Sequence, residues 1–426
     1  MKEIFFLIFT LLCLSTHNSY AQTTNVRSIS EKPRKEYTGN ILSKGTYDLD
    51  MALNLYYTEN NNIYATRRDS KSDSIYIIKP EIDWTSNWIR HKTYARANGQ
   101  LGVYDEYTNE NYQDYSLNTG GRIDIVRDTS LSLDIKHNRL HEDRGSTEDV
   151  NGIEPTTYYI TSLDTNFDYG TINRFKTKLQ LHSDIYEYEH NYGRESSTNQ
   201  KFLIHNRHRN RTENKALIRF NYEFKPPYSL FVEGNYNERD YETSTQVTSS
   251  GNTYVVKDSK GYDIKTGGEI NLTGKIDAEL YGAYLKQDYE NDNFEDIREY
   301  YGGGSLLWNF NNITSLELGI DREIIETRIS NASSYISDQY YAELEHELRR
   351  HLLVFLKYTE KNNNYQFKND ANYLEDDIMT FETKIRYYIH RFIHLDVGYN
   401  YKEKNSNEYD NNYIEEIFFL TFNYKI

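Results

Sequence analysis

The last eleven residues of the chain, Glu416 to Ile426, carry an apolar or aromatic side chain at every second position. The alternating set is Phe418, Leu420, Phe422, Tyr424 and Ile426. Successive side chains of a β-strand point to opposite faces, so the pattern predicts a strand with one lipid-compatible face. Such a strand can close a transmembrane barrel by pairing with the first strand, whereas its unpaired edge would invite aggregation in a soluble protein.

The same alternation recurs from Tyr47 onward, in segments that begin about every 20 residues. Residues 276–284 and 314–320 are clear examples, and a helix would instead repeat its apolar positions every 3.6 residues. Short and long connections alternate between the segments. The sequence therefore predicts an all-β fold, a single transmembrane antiparallel up-and-down β-barrel of about 18 strands with its short turns on the periplasmic side. The rival fold, a parallel β-solenoid, would repeat a shorter unit.

The first residues have the pattern of a secretory signal peptide. Lys2 precedes the apolar run Ile4 to Leu14, and small residues flank Tyr20 before a predicted cleavage site after Ala21. We therefore expect a signal peptide at residues 1–21, a polar periplasmic lead-in at residues 22–46 and the barrel at residues 47–426. The one cysteine, Cys13, lies in the signal peptide, so the mature chain is expected to form no disulfide. The predicted location is the bacterial outer membrane.

Composition agrees with a barrel and excludes several other classes. Beyond residue 21 no run approaches the roughly 20 apolar residues of a membrane helix. A mean hydropathy of −0.85 is compatible with a barrel because only alternate residues face lipid. The net charge of −16 argues against a nucleic-acid partner. The chain has no GxSxG, HExxH or P-loop motif, and we predict no enzyme activity, no catalytic residues, no cofactor and no metal site.

Several segments resemble a known family, the β-barrel porins of the second type. They are YTENNNIYATRRDSKSDSIYIIKPEIDW (57–84), YDEYTNENYQDY (104–115), HEDRGSTEDVNGIEPTTY (141–158), YSLFVEGNYNERDY (228–241) and LTGKIDAELYGAYLKQDYE (272–290). The resemblance runs from about Tyr47 to Ile426. It implies an outer-membrane barrel of a kind often encoded beside exopolysaccharide genes, and hence a channel that passes or secretes a polysaccharide. It implies no catalytic residues.

The strand pattern places many carboxylates on the inward face of the barrel. The candidate acidic wall of the lumen is Asp277, Glu279, Glu317, Asp321, Glu343, Glu345, Glu347 and Asp396. A barrel of this size is wide enough for water, so these groups could stay ionised and favour cations or neutral sugars. The alternative is a wall in which the acids pair across strands with Lys265, Lys357, Lys384 and Arg386.

A basic cluster at the outer end of one strand is the second candidate. Counting back from Ile218, Arg207, Arg209 and Arg211 should face inward at the mouth. They could bind the carboxylates of an acidic polysaccharide or line a constriction opposite acids. The alternatives are contact with lipopolysaccharide phosphates and simple solvation. For the charged loop at residues 141–155 we expect solvation, and the alternatives are a structured lid and a divalent-cation site, for which the loop lacks a regular ligand spacing.

Inward tyrosines form the third candidate. Tyr158, Tyr281, Tyr341 and Tyr388 should face the lumen, where aromatic rings can stack on sugar rings. Most of the 42 tyrosines are expected instead in strands and interfacial girdles.

Three functions fit these features. The first is a channel that passes or secretes a saccharide, with periplasmic polysaccharide-export proteins as partners. The second is a general diffusion porin for small solutes, and the third is a plugged surface receptor or structural barrel. In every case the expected partners include outer-membrane lipid, lipopolysaccharide and the barrel-assembly machinery.

Overall fold

The structure is a computed structural model that describes residues 27–37, 42–170, 174–195, 199–242, 245–247, 253–255, 257–272, 274–329, 331–368 and 373–425. The predicted signal peptide lies outside these residues. The barrel strands are β1 Tyr47–Asn60, β2 Asp73–Ser86, β3 His91–Tyr104, β4 Tyr112–Val126, β5 Thr129–His141, β6 Thr157–Gly170, β7 Phe175–Tyr188, β8 Arg211–Lys225, β9 Tyr228–Tyr241, β10 Ser259–Leu272, β11 Ile276–Tyr289, β12 Ile297–Asn311, β13 Thr314–Glu326, β14 Ala332–Arg349, β15 Leu352–Phe367, β16 Glu375–His390, β17 Ile393–Ser406 and β18 Tyr413–Lys425.

The strands form one closed antiparallel sheet. Each strand pairs with the next along the chain, and β1 pairs with β18 in a register that places Leu55 opposite Phe422. Closure gives every strand two neighbours and so removes the exposed edges of an open sheet. The predicted 18-strand up-and-down barrel and the closing role of the last strand are both confirmed.

Short elements decorate the two ends of the barrel. The strand Leu42–Lys44 pairs with β1 at the end with the short turns. At the end with the long loops, Asn191–Arg194 pairs with Lys201–Ile204, and Thr245–Val247 pairs with Thr253–Val255. Single-turn 3₁₀ helices occupy Lys35–Tyr37, Thr108–Glu110, Arg207–Arg209 and Tyr409–Asn411. Within the described ranges, none of the helices has the length and apolar character needed to cross a membrane.

The alternation of the sequence separates the two faces of the wall. On β13, Leu318 and Ile320 are exposed on the outside, whereas Ser315 and Gly319, at alternate positions, are buried on the inside. On β18, Phe418 and Leu420 are likewise exposed. The tryptophans Trp84, Trp88 and Trp308 are exposed near the end with the short turns, where an interfacial aromatic girdle is expected. The exterior is therefore an apolar band, and the lumen is polar.

Glycines on the inner face let tyrosine rings lie flat against the wall. Gly319 is the register partner of Tyr341, and a Cβ on Gly319 would lie 2.1 Å from the ring carbon Cε1 of Tyr341. Gly303 is the partner of Tyr281, and a Cβ there would lie 2.3 Å from the Tyr281 hydroxyl oxygen. The missing side chains thus provide the space that the two rings occupy.

Candidate functional site

The predicted acidic wall faces inward, and much of it is paired. Glu343 lies 3.6 Å from Lys357 on the next strand, and Asp396 accepts two hydrogen bonds from Arg386 at 2.8 and 2.9 Å. Ion pairs of this kind lower the net charge that the wall presents to a solute. At these positions the acids of the wall are paired with basic residues of the neighbouring strand, which is the alternative to an unpaired acidic wall.

Two further acids of the wall bind tyrosine hydroxyls. The Tyr341 hydroxyl donates to Glu317 at 2.9 Å, and the Tyr281 hydroxyl donates to Asp321 at 3.3 Å. These bonds hold the rings that lie over the inner-face glycines. Tyr341 is half-buried, so a stacked sugar could contact only one side of its ring. Tyr281 is buried, and the Lys265 ammonium lies 5.0 Å from the centre of its ring.

Arg219 on β8 gathers three carboxylates, and one of them is the predicted Glu279. Its guanidinium donates to Glu233 at 3.1 Å, to Glu279 at 2.7 Å and, by a short bond, to Glu269. The ring of Phe231 covers one face of the guanidinium at 3.6 Å. The arginine is 1% exposed, so a single buried cation holds acids from β9, β10 and β11 together. Asp277, half-buried and two residues before Glu279, faces the same side of β11.

Residues 27–37, here called the N-terminal segment, occupy the ladder formed by Glu345 and Glu347. Ser30 donates to Glu345 through its backbone N–H and its hydroxyl, both at 2.7 Å. Arg34 donates to Glu347 at 2.6 Å in a pair with both side chains buried. These two acids are therefore bound by the chain itself at the end with the short turns.

The N-terminal segment is also anchored by apolar contacts. Ile29 is fully buried in a cluster with Leu353 and Phe355, against which Tyr388 packs. Tyr37 stacks on Tyr388 with ring centroids 5.0 Å apart. The predicted sugar-stacking face of Tyr388 is thus covered by this segment. The other predicted ring, Tyr158, stacks on Tyr188 at 5.1 Å.

Of the predicted basic cluster, Arg211 lies in a barrel strand, whereas Arg207 lies outside the strand and is exposed. Residues 207–209 form a 3₁₀ helix, and β8 begins only at Arg211. The Asn206 side chain donates to the Glu189 carbonyl, and the Asn210 side chain accepts from the Tyr188 N–H. These side-chain bonds replace the strand ladder, so alternation cannot be extended backward past Arg211.

The three arginines consequently differ in environment. Arg207 is exposed, whereas Arg209 is buried in an ion pair with Glu142 and packs over the Tyr188 ring at 4.0 Å. Arg211 donates to Glu213 at 2.8 Å. The structure thus brings Arg209 and Arg211 to one place and leaves Arg207 at the surface.

Residues 142–156, here called the mouth loop, cross the end of the barrel that carries the long loops. The expectation that this loop is solvated is wrong. Arg144 forms two hydrogen bonds with Glu110, at 2.8 and 2.7 Å, and a weaker one with Asp149 at 3.4 Å. Burial alone would lower the pKa of Arg144, but Glu110 and Asp149 outweigh burial and raise that pKa. The ion pair stays charged inside the mouth.

The mouth loop is bound to the far side of the ring as well as to its own side. The loop joins β5 to β6, while residues 327–331 join β13 to β14 almost opposite in the 18-strand order. Glu148 accepts from the Thr327 hydroxyl at 2.8 Å and from the Arg328 N–H at 2.6 Å. Thr147 accepts from the Tyr365 hydroxyl at 2.6 Å. The loop therefore spans the mouth.

Residues 326–329, here called the hub segment, receive contacts from other parts of the mouth. Arg239 donates to Glu326 at 2.8 Å, and the Tyr241 hydroxyl donates to the same carboxylate at 2.5 Å. Lys257 donates to the carbonyl oxygens of Thr327 and Ile329 at 2.6 and 2.7 Å. The mouth loop, the end of β9 and the connection from β9 to β10 thus meet at one short segment.

Sequence reasoning favoured a solvated loop over a structured lid and placed residues 27–37 in a periplasmic lead-in, because the contacts of both segments are long-range. The available signal for the loop was its density of opposite charges, with Glu142, Arg144, Glu148 and Asp149 within eight residues. Such charges can pair with one another or remain in water, and spacing alone does not separate the two outcomes. Among the described residues, no group of three or more His, Cys, Asp or Glu side chains is placed to hold a metal ion.

A closed barrel with an apolar exterior, a polar lumen and a mouth narrowed by an internal loop defines an outer-membrane porin-like protein. The chain matches the model of a known family over residues 37–425, and that family is described as "Putative beta-barrel porin 2". Since the match covers most of the chain, the protein belongs to this family, and its location is the outer membrane. A search of the curated proteins found no match.

Several solved barrels are similar in fold. The outer membrane protein OpdK of Pseudomonas aeruginosa is 11% identical, with a TM-score of 0.47 over 91% of this chain and 100% of that chain. OpdO of Pseudomonas aeruginosa is 11% identical, with a TM-score of 0.45 over 89% and 97%. The ferripyoverdine receptor of the Pseudomonas aeruginosa outer membrane is 12% identical, with a TM-score of 0.44 over 84% of this chain. The chain spans only 56% of that receptor's length.

Proposed function

We propose that the protein is a gated outer-membrane channel and that its passenger is a saccharide. The observation that carries the gating is the mouth loop, which is bound at Glu110 on one side and at Thr327 and Arg328 on the other. A passenger must displace or pass beside this loop. The polar lumen supports passage of a hydrophilic solute rather than a lipid.

A saccharide suits the chemistry of the lumen wall. Asn221 and Asn235 lie among the acids around Arg219, and carboxylates and amides offer hydrogen bonds to hydroxyl groups. The ring of Tyr341 is only half-buried and offers a surface on which a sugar could stack, whereas Tyr281 is buried. Secretion of a polysaccharide would further need a periplasmic partner, and the end that holds the N-terminal segment is the place where such a partner would meet the barrel.

A plugged receptor or structural barrel is the second candidate. The observation that favours it is the presence of chain inside both ends of the barrel, at the mouth loop and at the N-terminal segment. In that case the ion pairs of Arg144 and Arg34 would hold both segments in place at all times, and the barrel would pass no ions. A wide, unobstructed diffusion porin is disfavoured by the same contacts.

Single-channel recording separates these functions. The refolded mature protein is inserted into planar bilayers and compared with Arg144→Gln. This substitution removes the cation that binds the mouth loop to Glu110 and that also pairs with Asp149 within the loop. We expect resolvable conductance steps in the wild type and a several-fold higher open probability in the variant. The matched control is Arg194→Gln, because the Arg194 side chain is exposed and donates to Asn199 within its own hairpin.

Three results would count against the proposal. Silence of both the wild type and Arg144→Gln, in folded barrels, would support the plugged barrel. Conductance that neutral oligosaccharides neither block nor alter would contradict the saccharide as the passenger, but it would still support a channel. A deletion strain that still secretes its polysaccharide normally would remove the secretory role.

A further inference from the structure

A small cavity lies beneath the mouth loop, where that loop meets the hub segment. It has a volume of about 60 Å³, which is room for a few water molecules or one small polar group. Its lining includes five basic residues but only two acids. The basic residues are His208, Arg209, Arg211, Lys257 and Arg328, and the acids are Glu148 and Glu326.

The two arginines of the former basic cluster already have carboxylate partners outside the lining set. Arg209 pairs with Glu142, and Arg211 pairs with Glu213. Glu326 is likewise taken, since it pairs with Arg239 and accepts from the Tyr241 hydroxyl. These groups line the cavity, but the charge of each is balanced by a partner of opposite charge.

The side chains of Lys257 and Arg328 donate hydrogen bonds to backbone carbonyl oxygens, not to carboxylates. The Lys257 ammonium donates to two backbone carbonyl oxygens, and the Arg328 guanidinium donates to the Thr147 carbonyl oxygen at 3.1 Å. Carbonyl oxygens satisfy hydrogen bonds but bring no net charge. Both acids that line the cavity, Glu326 and Glu148, act on the charge of Lys257, and Glu148 is the one that comes from the mouth loop.

Glu148 thus behaves as a built-in anion at a cationic site. Its carboxylate binds the Thr327 hydroxyl and the Arg328 N–H, two donors that would suit any carboxylate. Burial lowers the pKa of Lys257 to about 8, with the nearby Arg211 charge acting in the same direction. The lowered pKa shows that Glu148 and Glu326 do not fully compensate the burial of this cation.

We propose that the cavity binds the carboxylate of an acidic sugar, which takes the place of Glu148 and thereby releases the mouth loop. The idea rests on the proposed channel and adds to it the ligand class and the way in which the ligand opens the channel. The cavity admits the acidic group alone, so the sugar ring remains in the mouth outside it. Displacement removes the two hydrogen bonds that the hub segment donates to Glu148. The mouth loop then keeps the bond from Arg328 to the Thr147 carbonyl oxygen, its contacts at Tyr365 and Tyr413, and the contacts on its own side of the ring.

The test uses sodium glucuronate as the probe and glucose as its uncharged counterpart. Open probability is recorded in bilayers, and binding is measured by calorimetry on the folded barrel in detergent. Glucuronate should raise the open probability several-fold at concentrations where glucose does nothing. Inorganic phosphate serves as a third arm, because a phosphate group on lipopolysaccharide could present a similar charge.

Two variants and one control make the test specific. Lys257→Gln removes a cation of the cavity and should weaken glucuronate binding about tenfold, the factor that corresponds to 1.4 kcal/mol. Glu148→Gln removes the internal competitor, so it should tighten glucuronate binding and raise the open probability without ligand. Glu154→Gln makes the same charge change in the same loop at an exposed position and should behave as the wild type.

The opposite signs expected for the two variants separate this idea from simple loss of structure, which would weaken binding in both. Heat-modifiable migration in gels confirms that each barrel is folded, and if Glu148→Gln does not fold, Lys257→Gln still decides the question. A conducting channel that ignores glucuronate would overturn the acidic-sugar site and leave the channel. Glucuronate binding that depends on Lys257, in a barrel that never conducts, would overturn the channel and the release of the loop. Tighter binding of phosphate than of glucuronate would overturn the carboxylate assignment.

Discussion

Arg34 Nη1 lies 2.6 Å from Glu347 Oε2, and both side chains are less than a tenth exposed. The pair joins a residue near the start of the described chain to β14, which lies 313 residues later in the sequence. It stands beside a second link of the N-terminal segment, the exposed pair of Glu36 with Arg350 at 2.6 Å. The two pairs share a segment and differ in burial, so they can be compared directly.

Arg34→Gln should release the N-terminal segment from the barrel. Removing one partner of a buried ion pair costs on the order of 3–5 kcal/mol, because the other charge is left uncompensated. Arg350→Gln is the control, since an exposed ion pair contributes little to stability. The measurement is the rate of proteolysis within residues 27–37 in the folded barrel. Equal rates in the two variants would contradict the anchoring role of Arg34.

Gly319→Val should destabilise the barrel, because the new Cβ would overlap the Tyr341 ring. Overpacking of this kind typically costs about 1–3 kcal/mol, and the ring can avoid it only by turning into the lumen. Gly282→Val is the matched control, since nothing lies within 4 Å of a Cβ on that outward glycine. Unfolding midpoints in detergent compare the two. If both variants unfold alike, the ring does not depend on the glycine.

His208 should favour opening of the mouth on acidification. Burial, followed by the nearby charge of Arg209, lowers the pKa of His208 to about 4 in the closed mouth, against an ordinary value of 6.5. Lys257 and Arg328 also lower this pKa. A group whose pKa is lowered in the closed state contributes stability above pH 6.5 and loses it as the pH falls toward 4.

The contribution of His208 is isolated by comparison with His208→Gln, which cannot titrate. The open probability of the wild type should rise relative to that of the variant between pH 6.5 and pH 4. Burial raises the pKa of Glu142 and of Asp149, and these groups favour closure on acidification in both proteins. If the ratio of the two open probabilities stays constant between pH 6.5 and pH 4, His208 remains unprotonated in the open state too.

Leu318→Lys and Glu317→Lys test the two faces of β13. A lysine on the lipid face near the midplane costs about 2–4 kcal/mol, so Leu318→Lys should fold poorly into bilayers. Glu317→Lys points into the lumen, and it should fold and shift the reversal potential toward anions. Folding yield and reversal potential in a salt gradient are the measurements. Similar yields for both variants would show that the register of β13 is wrong.

The barrel itself could be predicted because its pattern is local. A strand with one face in lipid and one in water must alternate, so Leu318 and Glu317 reveal their directions without any knowledge of distant residues. The place of the last strand follows in the same way, since Phe422 needs a partner and β1 supplies it at Leu55.

The site could be predicted only where it lies in strands. The direction of Arg211 follows from the alternation of β8, but Arg209 lies where asparagine side chains have replaced the ladder. The partner of Glu148 is 180 residues away, and no local pattern identifies it. The acids of the wall were found, yet the sequence left open whether Glu345 faces water or, as the structure has it, binds Ser30.

The N-terminal segment also sets an order of events during assembly. Ile29 and Ser30 emerge early in synthesis, but their partners Ser315 and Glu345 lie 286 and 315 residues later. Because these partners belong to β13 and β14, the segment has nothing to dock against until most of the wall has been built. Its docking therefore belongs among the last steps of maturation, and a barrel in which residues 27–37 are protected is one whose late strands are already in place.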